Sequence, residues 1–203
     1  MNKLTPKNDI SDYLKFSEIV NCTPLLEEKA KNLTDSQDNQ VEKARTLFEF
    51  VRDKIAHSFD IKNTEVTCRA SDVFEKGHGI CFAKSHLLAA MCRSVGIPSG
   101  LCYQKLVFDD QAKEKFFTLH GLNAVYLESL KRWVRLDARG NKPGVFAEFD
   151  IQKEKLAFPV RLEMKEVDYP EIFSQPQSSV TQGLTQLIKW DLSHINRQLP
   201  ESL

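Results

Sequence analysis

The stretch GHGICFAKSHLLAAMCRSVGIP, residues 77–98, decides how the rest of the chain is read. Gly77 and Gly79 stand just before Cys81, and the apolar run Phe82–Val95 is closed by Gly96-Ile97-Pro98. A glycine and a proline just past an apolar run stop a helix, the first by its conformational freedom and the second because it cannot continue the ladder. The spacing predicts a helix over 82–95 with Cys81 at or beside its N-terminus. Unpaired N–H groups and the macrodipole at that end favour negative charge, and therefore the thiolate, the nucleophilic form of cysteine. The same N–H groups can receive an oxyanion forming on a substrate carbonyl. The two glycines are expected to let a substrate backbone approach closely. A plain alternative is that Cys81 is a small first-turn residue packed under the loop.

Upstream, Val41, Ala44, Leu47, Phe48, Val51 and Ile55 recur at helical spacing and predict a helix over about 39–56. Thr23-Pro24 marks the start of a shorter one, since Thr caps and Pro suits the first turn. Residues 32–40 and 60–70 are polar and read as loops. Ser71 is placed to cap a short turn ending at Gly77. After Pro98 the period changes. Ser99–Phe108, Phe116–Leu127 and Lys131–Ala138 read as strands, the last two joined by a short turn. Residues 155–168 have room for another strand or two. Val180, Leu184, Leu187, Ile188, Leu192 and Ile195 form a stripe that predicts one helix over Ser178–Gln198. Helices first, then strands, then a helix argues an α+β fold. No linker or repeat divides residues 1–203, so one domain is expected, with a core at about 40–140, an N-terminal helical extension and a C-terminal helix.

A thiolate needs a base or a cationic partner, usually His. Of the five histidines, His57 lies at the end of a helix, where a donor helps cap carbonyls. His78 reads as loop filling, His86 falls inside the Cys81 helix, and His194 reads as a surface or capping residue. His120 differs because of what lies across the hairpin. With a two-residue loop at Glu128-Ser129, Leu127 opposes Leu130 and His120 opposes Asp137. With a four-residue loop Asp137 moves to the diagonal position on the same face. Only an odd loop or a bulge separates them. A carboxylate beside an imidazole fixes its tautomer and stabilises the imidazolium. Taken alone, Asp137 is also an ordinary strand-end residue before Arg139-Gly140.

The bulk numbers exclude several classes. Lys+Arg and Asp+Glu are 28 each, so no basic excess exists to collect phosphates or an anionic membrane surface. Hydrophobic residues at 41% and charged residues at 28% are those of a soluble globular chain. Residues 1–10 are polar and include Pro6, without the apolar core of a signal peptide, so the cytoplasm is the expected compartment. Five cysteines at irregular spacing, with no CxxC, point to free thiols and not to a disulfide scaffold. A metal site from Cys68, His78, Cys81 and Cys92 is the weaker alternative, because His78 and Cys81 are its only tightly spaced pair.

These segments together resemble the transglutaminase-like superfamily. The resemblance rests on Gly-x-Gly-Ile-Cys81, the Leu-Leu-Ala-Ala-Met-Cys-Arg helix and the closing Val-Gly-Ile-Pro. It also rests on His120 with Val125-Tyr126, on Trp133-Val-Arg-Leu-Asp137, and on the lead-in Ile55-Ala-His-Ser-Phe59-Asp60. It covers about residues 40–140. It implies a papain-like fold, in which a helix carrying the nucleophile packs on an antiparallel, barrel-like sheet carrying His and Asp. It implies Cys81 as nucleophile, His120 as general base and acid, and Asp137 as orienter. The expected activity is acyl transfer from a peptide or protein amide, as a peptidase, amidase or transglutaminase, without a cofactor. Departures from the family pattern are Leu122 for an aromatic, Ala124 for an acid, Ala138 for Thr and Phe82 for Trp. Many papain-like enzymes place a side-chain donor some six residues before the nucleophile. Here that residue is Glu75, which cannot donate when ionised, so no side-chain oxyanion donor is assigned. The competing expectation is an inactive module that keeps the fold to bind a protein partner, with the His120 imidazole turned away from Cys81.

Overall fold

A computed structural model describes residues 3–111 and 115–203. The chain opens with a two-residue strand, β1 (Thr5–Pro6), and a 3-10 turn over Ile10–Leu14. Helix α1 (Pro24–Thr34) starts where Thr23 predicts, its Oγ1 accepting the Leu26 N–H at 3.3 Å. It runs past Asn32, so the loop expected over 32–40 is shorter than expected. Helix α2 (Gln40–Lys54) is capped by Asn39, whose Oδ1 accepts the Glu42 N–H at 3.0 Å. Its stripe buries Ala44, Leu47, Phe48 and Val51.

Next come β2 (Ala56–His57), α3 (Ala70–Lys76) and β3 (His78–Gly79). Ser71 does not cap α3. It sits in the first turn, and its N–H is taken by Asn21 Oδ1 at 3.0 Å, a partner fifty residues away. Gly77 ends the helix as expected, at φ +71°. Strands β2 and β3 pair in parallel, with His57 beside Gly79. That pairing ties the end of α2 to the residues before Cys81.

Helix α4 (Cys81–Ser94) is the axis of the molecule. Every residue from Phe82 to Arg93 is buried, polar ones included. A helix buried all round must satisfy its polar groups internally. Lys84 Nζ donates to the carbonyls of Ile55 and Arg52, at the end of α2. The capping role expected of His57 is thus taken by Lys84. Ser85 Oγ donates to Cys81 O at 2.8 Å, His86 Nδ1 meets Cys68 O at 2.8 Å, and Arg93 donates to Lys15, Ser99 and Ser174 carbonyls. Gly96, at φ +76°, turns the chain out.

Helices α1, α2 and α3 cover one side of α4. A curled antiparallel sheet of β4 (Ser99–Val107), β5 (Phe117–Leu127), β6 (Arg132–Leu136) and β7 (Val167–Asp168), in the order β6-β5-β4-β7, covers the other. The hairpin takes the four-residue loop: Leu127 pairs with Arg132, not Leu130, and Lys131 turns the chain at φ +48°. Strand β8 (Glu171–Ile172) pairs in parallel with β1, and Tyr13 and Ile172 close a second apolar cluster with Cys102, Leu122 and Ala124. Of residues 155–168, only Val167–Asp168 pairs as a strand of the main sheet.

The single C-terminal helix expected over 178–198 does not form. Helix α5 covers Ser178–Thr185, and a 3-10 turn follows at Ile195–Arg197. Val180 and Leu184 are buried, whereas Ile188 is 87% exposed. The chain is instead held extended by Trp190, whose N–H donates to Thr64 O at 2.7 Å and whose buried ring packs edge-on to Phe59. Asp191 Oδ1 then accepts the Ser193 N–H at 3.0 Å, a local bond that competes with helix.

Candidate active site

Cys81 is the first residue of α4 and is half-buried, while Ile80 before it offers no side-chain cap. The first N–H groups of the helix therefore remain available at the cysteine. The glycines have a different task from the one expected. Gly77 terminates α3, and a Cβ on Gly79 would lie 3.0 Å from Ala83 Cβ and 3.1 Å from Thr67 Oγ1, so Gly79 serves close internal packing.

His120 reaches this helix end because Gly121 follows it. A Cβ at 121 would stand 2.6 Å from Phe82 Cδ1 and 3.1 Å from Phe82 Cα, so only glycine lets β5 pass against the first turn of α4. His120 is buried, and its Nε2 donates to Asp137 Oδ2 at 2.8 Å. This is the diagonal arrangement that a four-residue hairpin loop produces. Asp137, 1% exposed, also accepts the N–H of Arg139 at 3.1 Å and of Ala157 at 3.0 Å. Phe158 packs edge-on against the imidazole, ring centroids 5.0 Å apart. With Nε2 committed to Asp137, Nδ1 is the ring nitrogen left for Cys81.

The electrostatics follow from this enclosure. Burial opposes charge on His120, but the Asp137 carboxylate and the Cys81 sulfur outweigh it, and the imidazole is raised to about 10. Burial likewise opposes charge on Asp137, yet the facing imidazole and the donated N–H groups hold it below the ordinary carboxylate range. The two form a charged, hydrogen-bonded pair next to a cysteine at a helix start.

Cys81, His120 and His57 line one cleft of about 680 Å³. Its walls carry Phe59, Leu106, Val107, Phe108, Leu119 and Phe158. One rim holds Asp60, paired with Arg139 and Lys142, and another holds Arg161, paired with Glu166 and Asp110. The other histidines lie elsewhere. His78 is fastened to Ser58 and Glu65, His86 is inside the core, and His194 is exposed beside Asp191. The alternative set of Cys68, His78, Cys81 and Cys92 is not assembled. Among the described residues no cluster of three or more His, Cys, Asp or Glu is placed to hold a metal ion.

Residues 27–138, more than half of the chain, match the family model described as the transglutaminase-like superfamily. The chain belongs to this superfamily. Among solved structures, this transglutaminase-like chain is similar to a candidate cysteine protease from Cytophaga hutchinsonii. The two are 19% identical with a TM-score of 0.52, over 66% of this chain and 43% of that one. It is also similar to the periplasmic domain of TgpA from Pseudomonas aeruginosa, at 14% identity and a TM-score of 0.49, over 65% of this chain and 48% of that one. The chain thus spans less than half the length of these structures. At such identities the likeness is one of fold, the papain-like transglutaminase-like fold. Among curated proteins, none matches the chain.

Three groups at this candidate site carry no periodic sequence signal that places them there. Ala157 N–H and Phe158 come from the segment after residue 140, which carries no periodic signal. His57 stands in the cleft and does not cap α2; its place in the family-like lead-in, two residues before Phe59, is the one signal in the sequence that sets it near the cysteine.

Proposed function

We propose that the chain is a thiol-dependent acyl-transfer enzyme acting on a peptide or protein amide. The observation that carries this is the buried His120–Asp137 pair in one cleft with a cysteine at the uncapped start of α4. In the proposed cycle the Cys81 thiolate attacks the amide carbonyl, forming the C–S bond and pushing the carbonyl electrons onto oxygen. The N–H groups at the helix start stabilise that oxyanion. As it collapses, His120 gives its proton to the leaving amine and the C–N bond breaks. Neutral His120 then takes a proton from water, or from an acceptor amine, as its oxygen or nitrogen bonds to the acyl carbon. When that second oxyanion collapses the C–S bond breaks, the acid or new amide leaves, and the Cys81 thiolate and protonated His120 are restored. Asp137 keeps the imidazole oriented throughout and stabilises its protonated form whenever that forms. Hydrolysis makes the chain a peptidase or amidase; an amine acceptor makes it a transglutaminase.

The apolar cleft walls favour an extended chain with aromatic or aliphatic side chains, and the two ion-paired rims favour polar groups at its ends. A reducing compartment, the cytoplasm, is part of the proposal. It is supported by five cysteines that all stand as free thiols. Acyl-enzyme trapping with peptide, glutaminyl and ester probes, read by intact mass and peptide mapping, tests the proposal. A stable adduct is expected on Cys81 and on no other thiol. Its absence, with Cys81→Ala retaining any turnover found, favours instead a protein-binding module of the same fold.

A further inference from the structure

We infer that His57 is the side-chain donor of the oxyanion site, supplying one hydrogen bond from its imidazole beside the backbone N–H groups at the start of α4. This deepens the acyl-transfer proposal and rests on it.

His57 lines the same cleft as Cys81 and His120. Its position relative to the nucleophile is set by a short path. The β2–β3 pairing puts His57 beside Gly79, two residues before Cys81, and Ser58 N–H donates to Gly79 O at 3.2 Å. The ring is held edge-on to Phe59, centroids 5.5 Å apart, and Phe59 is backed in turn by Trp190. His57 is 9% exposed, and its Nδ1 is fully enclosed with no partner among the described residues. With Nδ1 enclosed, Nε2 is the ring nitrogen assigned to the cleft.

The protonation state follows. Burial first, then the nearby Arg139 guanidinium, push the His57 imidazole well below its ordinary value. The ring is therefore neutral and carries one proton. An N–H sealed away without an acceptor costs more than a bare ring nitrogen in an apolar wall, so the proton sits on Nε2, facing the cleft. A neutral donor, already oriented and dehydrated, needs no reorganisation when charge develops on a carbonyl oxygen. The Asp60 carboxylate near this ring is occupied by Arg139 and Lys142, which leaves the His57 donor for substrate. The ring is too poor a base to compete with His120 for the thiol proton. It also fills the role for which Glu75, exposed on α3, is chemically unsuited.

The test separates carbonyl addition from simple nucleophilicity. p-Nitrophenyl acetate acylates a thiolate through a tetrahedral oxyanion and then loses p-nitrophenolate. Iodoacetamide alkylates the same thiolate by displacing iodide, with no oxyanion. The other four thiols are pushed up by burial, Cys22 to about 11 and Cys68, Cys92 and Cys102 to about 12, so reagents used near neutral pH discriminate against them. For His57→Phe, which keeps an aromatic ring against Phe59 and removes the donor, acylation is expected to slow by about 100-fold. Alkylation should stay within about twofold of the wild-type rate. His57→Gln, which restores an N–H, should recover at least a tenth of the lost acylation rate. Unchanged acylation in His57→Phe overturns the inference, as does parallel loss of both reactions in Phe and Gln variants alike. If wild-type Cys81 takes neither reagent faster than the buried thiols, the acyl-transfer proposal itself falls, and this inference with it.

Discussion

Asp137 is an acid with almost no exposure and three donors around it, from His120, Arg139 and Ala157. The imidazole beside it and the two donated backbone N–H groups favour its anionic form against burial. Replacing it by Asn keeps the shape and removes the charge. We expect Asp137→Asn to lower kcat/KM for any ester or amide probe by about 10³–10⁴-fold with the fold intact by circular dichroism. A loss under tenfold would show that His120 does not depend on this carboxylate. The second test at this scale concerns the proton on His120. Its elevation to about 10 draws on Cys81 as well as Asp137. Cys81→Ala should therefore lower the His120 titration midpoint, read from the ring resonances by NMR. An unmoved midpoint would mean that the sulfur does not face the imidazole. Neither residue's partner was arbitrary in the sequence. The hairpin count placed Asp137 opposite or diagonal to His120, and the four-residue loop chose the diagonal.

At the scale of elements, the decisive contact is between the first turn of α4 and β5 at Gly121. Any Cβ there meets the Phe82 backbone as well as its ring. A backbone clash cannot be relieved by a rotamer change, so Gly121→Ala must push the strand away and take His120 with it. The expected cost is about 1–3 kcal/mol in stability, read by urea unfolding. Because a displacement of about 1 Å can cost 10²-fold, probe acylation at Cys81 should fall by about that factor. A variant with unaltered acylation would refute this account of how the site is held. Element boundaries around α4 were legible, because Gly77, Gly96 and Pro98 act through local backbone chemistry. The C-terminal stripe yields only the short α5 for the opposite reason. It has helical period, but only Val180 and Leu184 find a core to enter, and Trp190 finds a better one against Phe59. Period reports where apolar side chains recur, not whether a surface exists to receive them.

At the scale of the whole molecule, two buried cations set opposing pH responses. His120 keeps its proton to about 10 when folded and to about its ordinary 6.5 when unfolded. Its stabilising contribution is thus full below 6.5 and lost as pH rises through 10. Lys84 behaves in the opposite sense. Burial first, then Arg139, lower it from 10.5 to about 7. Across that window the unfolded chain binds more protons, so this contribution makes stability rise with pH. From about pH 7 to 10 the two oppose each other. Lys84→Met removes one of them, and its urea midpoint should decline across this range more steeply than that of the wild type. Equal slopes would overturn the assignment of these protons. Lys84 also shows how the molecule is closed, since one side chain of α4 satisfies two carbonyls at the end of α2, and β2 leads from there to His57.

Local sequence chemistry fixed the helix over 82–95, with Cys81 at or beside its start, and put His120 and Asp137 on one face for any hairpin loop of two or four residues. Each depends on short-range chemistry: a helix stop, a helix start, and the parity of a hairpin. Packing of distant segments decided that Ala157 bonds Asp137, that Phe158 packs on His120, and that Trp190 backs Phe59. It also decided that His57 stands beside Gly79, 22 residues further along the chain. Those positions come from packing between segments with no shared period, and a residue's type says nothing of which distant surface will enclose it.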